Sequence, residues 1–373
     1  MIARTLDAIA LPATPTLGAW LHDVSPYVWR ISGDFGVRWY GMAYVVGFLL
    51  AYLMLRWLAS RGATLIPAHR AADVIIAGAF GAVIGGRVGY ILIYQPSLLI
   101  GFSSALPFWD ALAINKGGLA SHGGMIGLAV VAWLSARSIT RENMARGLPR
   151  VPVLGVTDAY AIAAPAGILL GRIANFINGE LLGRIVAAPG EHAPWWAVRF
   201  PQEIATRHAP ELTPDQAAHL AALLEASAPG ASFRVQFDAM MSRLWAGSPE
   251  LAAQLATLVS ARHPSQIYQG LAEGVVLGIA LLVIARRAAR PGLLSGSFLI
   301  IYGVLRVLTE VWRLPDDHLA VQRILGLSRG QWLSVAMVIS GVLVLAWKGR
   351  RTLPVVPGWG RKGSRNATSP ADA

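Results

Sequence analysis

The apolar run Ile162-Ala163-Ala164-Pro165-Ala166-Gly167-Ile168-Leu169-Leu170 leads without a break into Gly171-Arg172-Ile173-Ala174-Asn175-Phe176-Ile177-Asn178-Gly179-Glu180, and Gly183-Arg184 closes the stretch. A guanidinium, two carboxamides and a carboxylate thus follow directly on residues that suit a hydrocarbon solvent. At membrane depth each such group has to be solvated, paired or used. The surrounding composition supports that solvent: the chain is 55% hydrophobic and 14% charged, and its mean hydropathy is +0.51. A soluble chain of this length rarely reads so. Cysteine is absent, which excludes disulfides, thiolate metal sites and a cysteine nucleophile carried by the protein itself. The N-terminal stretch is interrupted by prolines and has no sustained apolar core, so it does not read as a cleavable signal peptide.

A helix that crosses a bilayer needs roughly 20 mostly apolar residues. Seven segments qualify: about 38–58, 73–94, 118–137, 152–170, 267–285, 293–311 and 331–347. The fold class expected is an all-α polytopic membrane protein with about seven transmembrane helices. Alternate connections are dense in arginine: Arg56, Arg61 and Arg70; Arg137, Arg141, Arg146 and Arg150; Arg286, Arg287 and Arg290; then Lys348, Arg350 and Arg351. The other side has few basic residues for its length, with Lys116 alone between spans two and three. Positive charge collects on the cytoplasmic side, which puts the N-terminus out and the C-terminus in. The same rule explains the net charge of +12 without nucleic acid, for which no binding motif is present. The organisation expected is an extracytoplasmic arm (1–37), spans one to four with the central motif (38–184), a small extracytoplasmic head (185–262), spans five to seven (263–351) and a disordered basic tail (352–373).

With this orientation the expensive polar residues sort to the outer side. Tyr40 opens span one, Arg87 lies in the outer part of span two, and Ser121 and His122 start span three. Arg172 and Asn175 end span four, His263 and Gln266 enter span five, and Tyr302, Arg306, Glu310 and Arg313 follow one face of span six at spacings of four, four and three. Every one has a bland reading. Arg172 could snorkel; Arg306 and Glu310 could be a structural pair; Arg87 has nothing reactive beside it; Tyr40 could belong to an aromatic belt; His122 could be merely hydrogen-bonded; Asn175 and Asn178 could cap a helix. Convergence from six of seven spans is what the bland readings leave unexplained. Several arginines without matching carboxylates form an anion site, and the guanidinium fork suits phosphate. At bilayer depth that anion is a phospholipid headgroup. Histidine suits proton transfer near neutrality. Metal-ligand spacing, a G-x-S-x-G elbow and a P-loop are all missing, so no metal or cofactor is expected. The residues alone lead to an enzyme or a transporter acting on a phospholipid from the outer side.

The motifs also resemble a known family. Gly171 to Glu180 with Gly183-Arg184 is similar to the hallmark stretch of bacterial prolipoprotein diacylglyceryl transferases. The resemblance extends, in the family's order, to Arg38-Trp39-Tyr40-Gly41, Gly85-Gly86-Arg87-Val88-Gly89-Tyr90, Gly118-Leu119-Ala120-Ser121-His122-Gly123-Gly124, Arg262-His263-Pro264-Ser265-Gln266-Ile267-Tyr268 and Tyr302-Gly303-Val304-Leu305-Arg306. It implies transfer of a diacylglyceryl group from phosphatidylglycerol to the lipobox cysteine of a preprolipoprotein, in the bacterial inner membrane with the site toward the periplasm. A thioether forms and glycerol phosphate leaves. The substrate brings the thiol, which accounts for the absent cysteines. The resemblance further implies catalytic roles for His122, Arg172 and Arg306. His122 would be the base, with an arginine that lowers the thiol's pKa as the alternative. Arg172 and Arg306 would hold the phosphate. Tyr40, Arg87, Asn175, Glu180, Gly183, His263, Gln266, Tyr302 and Glu310 would contact substrate or position those that do, Glu310 by orienting Arg306. A phospholipid or organic-anion transporter is the competing class, though such folds usually show inverted repeats around a midplane site. Two departures stand out: the segment from about 203 to 261 is longer than the family's outer head leads one to expect, and Gln269 occupies an expected acidic position, with Glu273 one turn on.

Overall fold

The computed structural model describes residues 17–32, 35–104, 107–113, 117–314, 323–324, 327–348 and 353–360. Lys116, the N-terminal part of the arm and the last residues of the tail lie outside that set, as does the side chain of Ser121. Among the described residues seven helices are long and apolar enough to cross a bilayer: Trp39–Ser60, Ala68–Tyr94, His122–Ala145, Val153–Asn178, Ser265–Ala285, Leu293–Trp312 and Gly330–Trp347. Large apolar side chains such as Val45, Phe80, Ile126 and Val283 are exposed on them, as lipid-facing side chains should be. The chain is a mostly helical, polytopic membrane protein.

The helices outrun the apolar windows that reveal them. Span three begins at Ser121 rather than 118, because Gly117 and Gly118 both take positive φ (86° and 82°) that no helix accommodates. It continues to Ala145, past the apolar limit near 137, with Glu142 paired to Arg146 at 3.2 Å and Asn143 donating to the Pro149 carbonyl. Span four does not stop at 170 but runs through Arg172 and Asn175 to Asn178. Gly179, at φ +66°, ends it: Gly179 N donates to Phe176 O and Glu180 N to Asn175 O, both at 3.0 Å. That six-to-one plus five-to-two pair is a Schellman stop. Span five changes its winding midway, with a π-helical segment over Gly270–Val276. Span six is helical to Thr309 and tightens into a 3-10 turn over Glu310–Trp312, so Arg313 lies beyond the helix instead of on its face.

The chain divides into two compact units, 1–43 with 169–272 and 305–334, and 44–168 with 273–304 and 335–373. In the first, the strands are β1 (Trp20–Leu21), β2 (Tyr27–Ser32), β3 (Phe35–Arg38), β4 (Ile185–Ala187), β5 (Val198–Arg199), β6 (Ala261–Arg262), β7 (Arg323–Ile324) and β8 (Leu327–Ser328). β2 pairs with β3 and β7 with β8, each pair antiparallel, and the other four form one sheet in the order β1-β5-β6-β4. The arm is therefore not separate from the head: Trp20 and Leu21 supply the sheet's edge strand, parallel to Val198 and Arg199. Three head helices, Pro214–Ser227, Phe233–Trp245 and Pro249–Leu258, share a core of Leu224, Met240, Met241, Leu244, Leu251 and Leu255 that also takes in Leu21.

Strands β5 and β6 contribute to a buried polar knot. Glu203 accepts from Ser260 N, Ser260 Oγ and Arg262 Nε, each at 2.5 Å, and both ionised side chains are at most 1% exposed. Arg199 is also buried and donates to the Val259 and Glu191 carbonyls at 2.6 and 2.5 Å. Burial lowers its pKa, and the charge of Glu203 pulls it partly back.

The second unit is cored by Leu55, Ile66, Val74, Ile75, Ile139 and Val156. Spans two and three meet backbone to backbone. A Cβ on Gly85 would lie 2.4 Å from Gly123 O, and one on Gly123 2.3 Å from Gly85 O. Small residues at such crossings let membrane helices approach closely. The tail expectation also needs correction. Residues 353–360 are packed, with Val356 and Ala289 exchanging backbone hydrogen bonds of 2.8 and 2.9 Å. Apolar Val356 and Trp359 inside a basic, proline-containing stretch supply contacts that composition alone conceals.

Candidate functional site

Nine of the twelve expected site residues fall in the first unit and three in the second, and each group is described by itself. In the first, the turn after span four is the organising element. Leu181 takes φ +56°, a strained value for a non-glycine residue, inside the central motif. Span five holds that turn down: Gln266 Nε2 donates to Glu180 O at 2.5 Å, and Ser265 Oγ to Leu181 O at 2.9 Å. Gln266 is fully buried, and its Oε1 has no hydrogen-bond partner among the described residues. Asn178 Nδ2 reaches Glu180 Oε1 at 3.2 Å, so its amide orients that carboxylate and the helix stop is left to Gly179. The Glu180 side chain faces the surface, yet neighbouring protein removes enough water to raise its pKa, against the opposing pull of Asn178 and Arg38.

Three residues after Glu180, Gly183 is clasped from both sides. It bridges Arg313 in an antiparallel β pair, flanked by Arg184 N to Trp312 O (3.0 Å) and Leu314 N to Leu182 O (3.1 Å). On its other side His263 N donates to Arg184 O at 3.0 Å. A Cβ on Gly183 would lie 2.0 Å from His263 O, so the residue serves close packing. Arg262 Nη1 donates to Gly183 O at 3.1 Å, tying the motif to the head's buried knot. His263 stacks on Trp196 with centroids 5.1 Å apart, and its Nδ1 lies 3.4 Å from the Tyr268 hydroxyl. Burial first, then the charge of Arg184, lowers its pKa.

At the end of span six two guanidiniums meet one carboxylate. Arg306 Nη2 is 3.1 Å from Glu310 Oε2 and Arg313 Nη1 is 3.7 Å from the same oxygen, all three side chains being at most 12% exposed. Ser328 Oγ donates to Glu310 Oε1 at 3.2 Å. One carboxylate therefore fixes two guanidiniums, and Gly330 packs beside the first of these pairs, where a Cβ would lie 3.5 Å from Glu310 Oε1 and 3.8 Å from Arg306 Nη2. Arg172 stands one helical turn before Asn175, half-buried, with its Cβ against span five where a Cβ on Gly270 would lie 3.3 Å away. Tyr40 is the second residue of span one, and Asn175 is buried.

In the second unit Arg87 departs from expectation. Placed among the substrate contacts by the sequence, it is 6% exposed and donates to four carbonyls: Nε to Ala111 (2.8 Å), Nη1 to Gly117 and Gly118 (2.7 and 3.1 Å) and Nη2 to Asp110 (2.7 Å). These donors pin the connection before span three and leave little of the fork for an anion. His122 follows on that connection, its ring 5.8 Å from that of Tyr94. Its Nε2 is buried without a hydrogen-bond partner among the described residues. Tyr302 stacks on Phe298, 5.5 Å between centroids and 5° from parallel.

Residues that the sequence reading did not single out are Ser328, Trp196, Glu203 and the fixing of Arg313 by Glu310. Ser328 and Glu203 lie far from their partners along the chain and carry no pattern of their own. Arg262 does have a signal, since it opens the His263–Tyr268 block.

Comparison with known proteins adds a direct finding. The family model for prolipoprotein diacylglyceryl transferase matches residues 26–347. A protein of Bdellovibrio bacteriovorus named phosphatidylglycerol–prolipoprotein diacylglyceryl transferase is 37% identical over 363 residues, covering 91% of this chain and 97% of that protein. Proteins of the same name from Polaromonas naphthalenivorans and Burkholderia lata are 33% and 35% identical, covering 88% and 86% of this chain and 97% and 93% of their own lengths.

Proposed function

The chain belongs to the prolipoprotein diacylglyceryl transferase family, and on that premise we propose that it transfers the diacylglyceryl group of phosphatidylglycerol to the lipobox cysteine thiol of preprolipoproteins. The sulfur–carbon bond of a thioether forms, the bond from the same glycerol carbon to the phosphate ester oxygen breaks, and glycerol phosphate departs. The observation that carries the reading is the Arg306–Glu310–Arg313 cluster, in which two guanidiniums share one carboxylate beside the turn of the central motif. It is a preorganised, half-dry cationic group of the kind that stabilises charge as it develops on a leaving phosphate. Arg306 and Arg172 take the phosphate, and Glu310 holds Arg306.

His122, with a buried ring nitrogen, takes the thiol proton; a free thiol has a pKa of ~8.5 and needs that help near pH 7. Tyr40, Asn175, Glu180, His263, Gln266 and Tyr302 position lipid or peptide. Gly183 and Arg87 are positioning residues that act through backbone. No cofactor and no nucleic acid take part. The chain lies in the bacterial inner membrane, N-terminus out and C-terminus in, with the site toward the periplasm, as the arginine-rich connections support.

The test mixes purified protein, phosphatidylglycerol and a lipobox peptide, then measures glycerol phosphate release and labelled lipid on the peptide. His122→Gln and Arg172→Ala should each lower transfer by about 10²-fold or more. Near wild-type rates in both variants would sink these assignments. No headgroup release by the wild type would sink the transferase reading.

A further inference from the structure

The last turn of span four is held by side chains of the arm and the head. Trp20 pairs with Val198, and His22 N continues the pairing by donating to Arg199 O at 2.8 Å. Side chains alternate along paired strands, so Trp20, His22, Val198 and Phe200 share one side of the sheet. Phe176 of the central motif enters that side. Its ring lies 6.0 Å from Trp20, 5.3 Å from His22 and 5.8 Å from Phe200, edge-on to the last two.

One turn on, a second contact falls on Gly179. The Gln202 carboxamide covers it: a Cβ there would lie 2.3 Å from Gln202 Cδ and 2.6 Å from both Nε2 and Oε1. Gln202 Nε2 is 3.3 Å from His22 Nδ1, and its Oε1 is buried without a hydrogen-bond partner among the described residues. The hydrogen bond to His22 is therefore the one that fixes the amide. His22 is itself fully buried, set between the rings of Trp20 and Phe200 at 5.5 and 5.1 Å. A glycine at φ +66° has no side chain of its own to hold the chain in place. On that link hang Glu180 and the strained Leu181. Gln266 and Ser265 of span five grip the carbonyls after the stop, and Gln202 covers the stop itself.

We propose that Gln202, braced by His22, is a positioning residue for transfer: it seats the Gly179 stop and thereby fixes where the Glu180 carboxylate stands. It touches neither substrate. The proposal rests on the reading of the central motif as part of the transfer site. It gives the arm and the head a part in the reaction, since His22 comes from the one and Gln202 from the other.

The test compares Gln202→Ala, His22→Leu and the double variant as full chains in detergent. It reads amide hydrogen exchange, and transfer kinetics with phosphatidylglycerol and a lipobox peptide. Without the cover, the Gly179 and Glu180 amides that close the helix should exchange about tenfold faster or more, while amides in the middle of span four stay as in the wild type. In Gln202→Ala, kcat should fall about tenfold and KM for phosphatidylglycerol should stay within about twofold, the pattern of a displaced group that acts in the transition state. The double variant should be no slower than Gln202→Ala, because His22 acts through the amide. His219→Ala, which removes a hydrogen bond with Gln254 elsewhere in the head, should leave exchange and kcat at wild-type values. Unchanged exchange at Gly179 and Glu180 would overturn the proposal. So would faster exchange with undiminished kcat, additive losses in the double variant, or an equal loss in His219→Ala. A wild type that releases no glycerol phosphate would count against the transferase reading, and the exchange rates would still decide whether Gln202 holds the turn.

Discussion

Replacing Glu203 by Gln isolates the link between the head's core and the motif. The carboxylate accepts three hydrogen bonds of 2.5 Å and is the ion-pair partner of Arg262, with neither side chain more than 1% exposed. Gln keeps the shape and one acceptor but leaves the Arg262 charge buried with only the Gly183 and His208 carbonyls for company. Breaking a buried pair from one side costs about 3–5 kcal/mol. At roughly 2–4 °C per kcal/mol for a domain of 150–250 residues, the melting temperature should fall by about 10 °C. Arg262→Met alone should cost a similar amount, since it strands the carboxylate. The double variant should cost less than the sum, because two well-packed neutral groups replace a desolvated pair. Activity supplies the second readout. Arg262 also donates to Gly183 O, so at a temperature well below melting Glu203→Gln should still lower kcat/KM by about 10²-fold, the scale of a 1 Å misplacement. A melting temperature within 2 °C of wild type, or strictly additive single variants, would refute the pairing argument; undiminished kcat/KM would refute the link to the motif.

Other outcomes follow from the same geometry. His22 is fully buried among Trp20, Phe176 and Phe200, and burial lowers its pKa from 6.5 to about 4. Between those values the unfolded chain binds the proton and the folded chain does not. The head should therefore keep its full stability above pH 6.5 and lose roughly 3 kcal/mol as pH falls toward 4, a slope that His22→Leu should remove in pH-dependent melting. Gly183→Ala places a methyl 2.0 Å from His263 O and should abolish transfer or cut it by about 10³-fold, whereas Gly171→Ala, with nothing near its Cβ, should melt like wild type. Arg87→Lys keeps the charge but loses the fork that reaches four carbonyls, so it should lower stability by about 2–4 kcal/mol and reduce kcat while KM for phosphatidylglycerol stays within twofold. A KM rise with normal melting would return Arg87 to the lipid contacts.

By itself the sequence determined the seven spans and the identity of the central motif. Both are local: a bilayer demands an uninterrupted apolar run of fixed length, and a run such as Tyr44 to Leu55 declares itself without reference to any other part of the chain. It also located Arg172, Arg306 and His122, because charge or imidazole in such a run is conspicuous. Where each helix ends was less legible. Hydropathy marks the solvent and not the winding, so the continuation of span four to Asn178 depended on the glycine stop at Gly179. Tertiary structure alone decided what those groups touch. Trp20 joins Val198 and Leu21 joins Arg199 through main-chain bonds that any side chains could accompany. Glu203 finds Arg262 across the head, Arg87 finds carbonyls instead of lipid phosphate, Glu310 holds Arg313 after the helix has ended, and Trp359 caps a span far before it in the chain. Backbone partners, close approaches at glycine and shared carboxylates arise only when distant segments meet, and no periodicity along the chain encodes them.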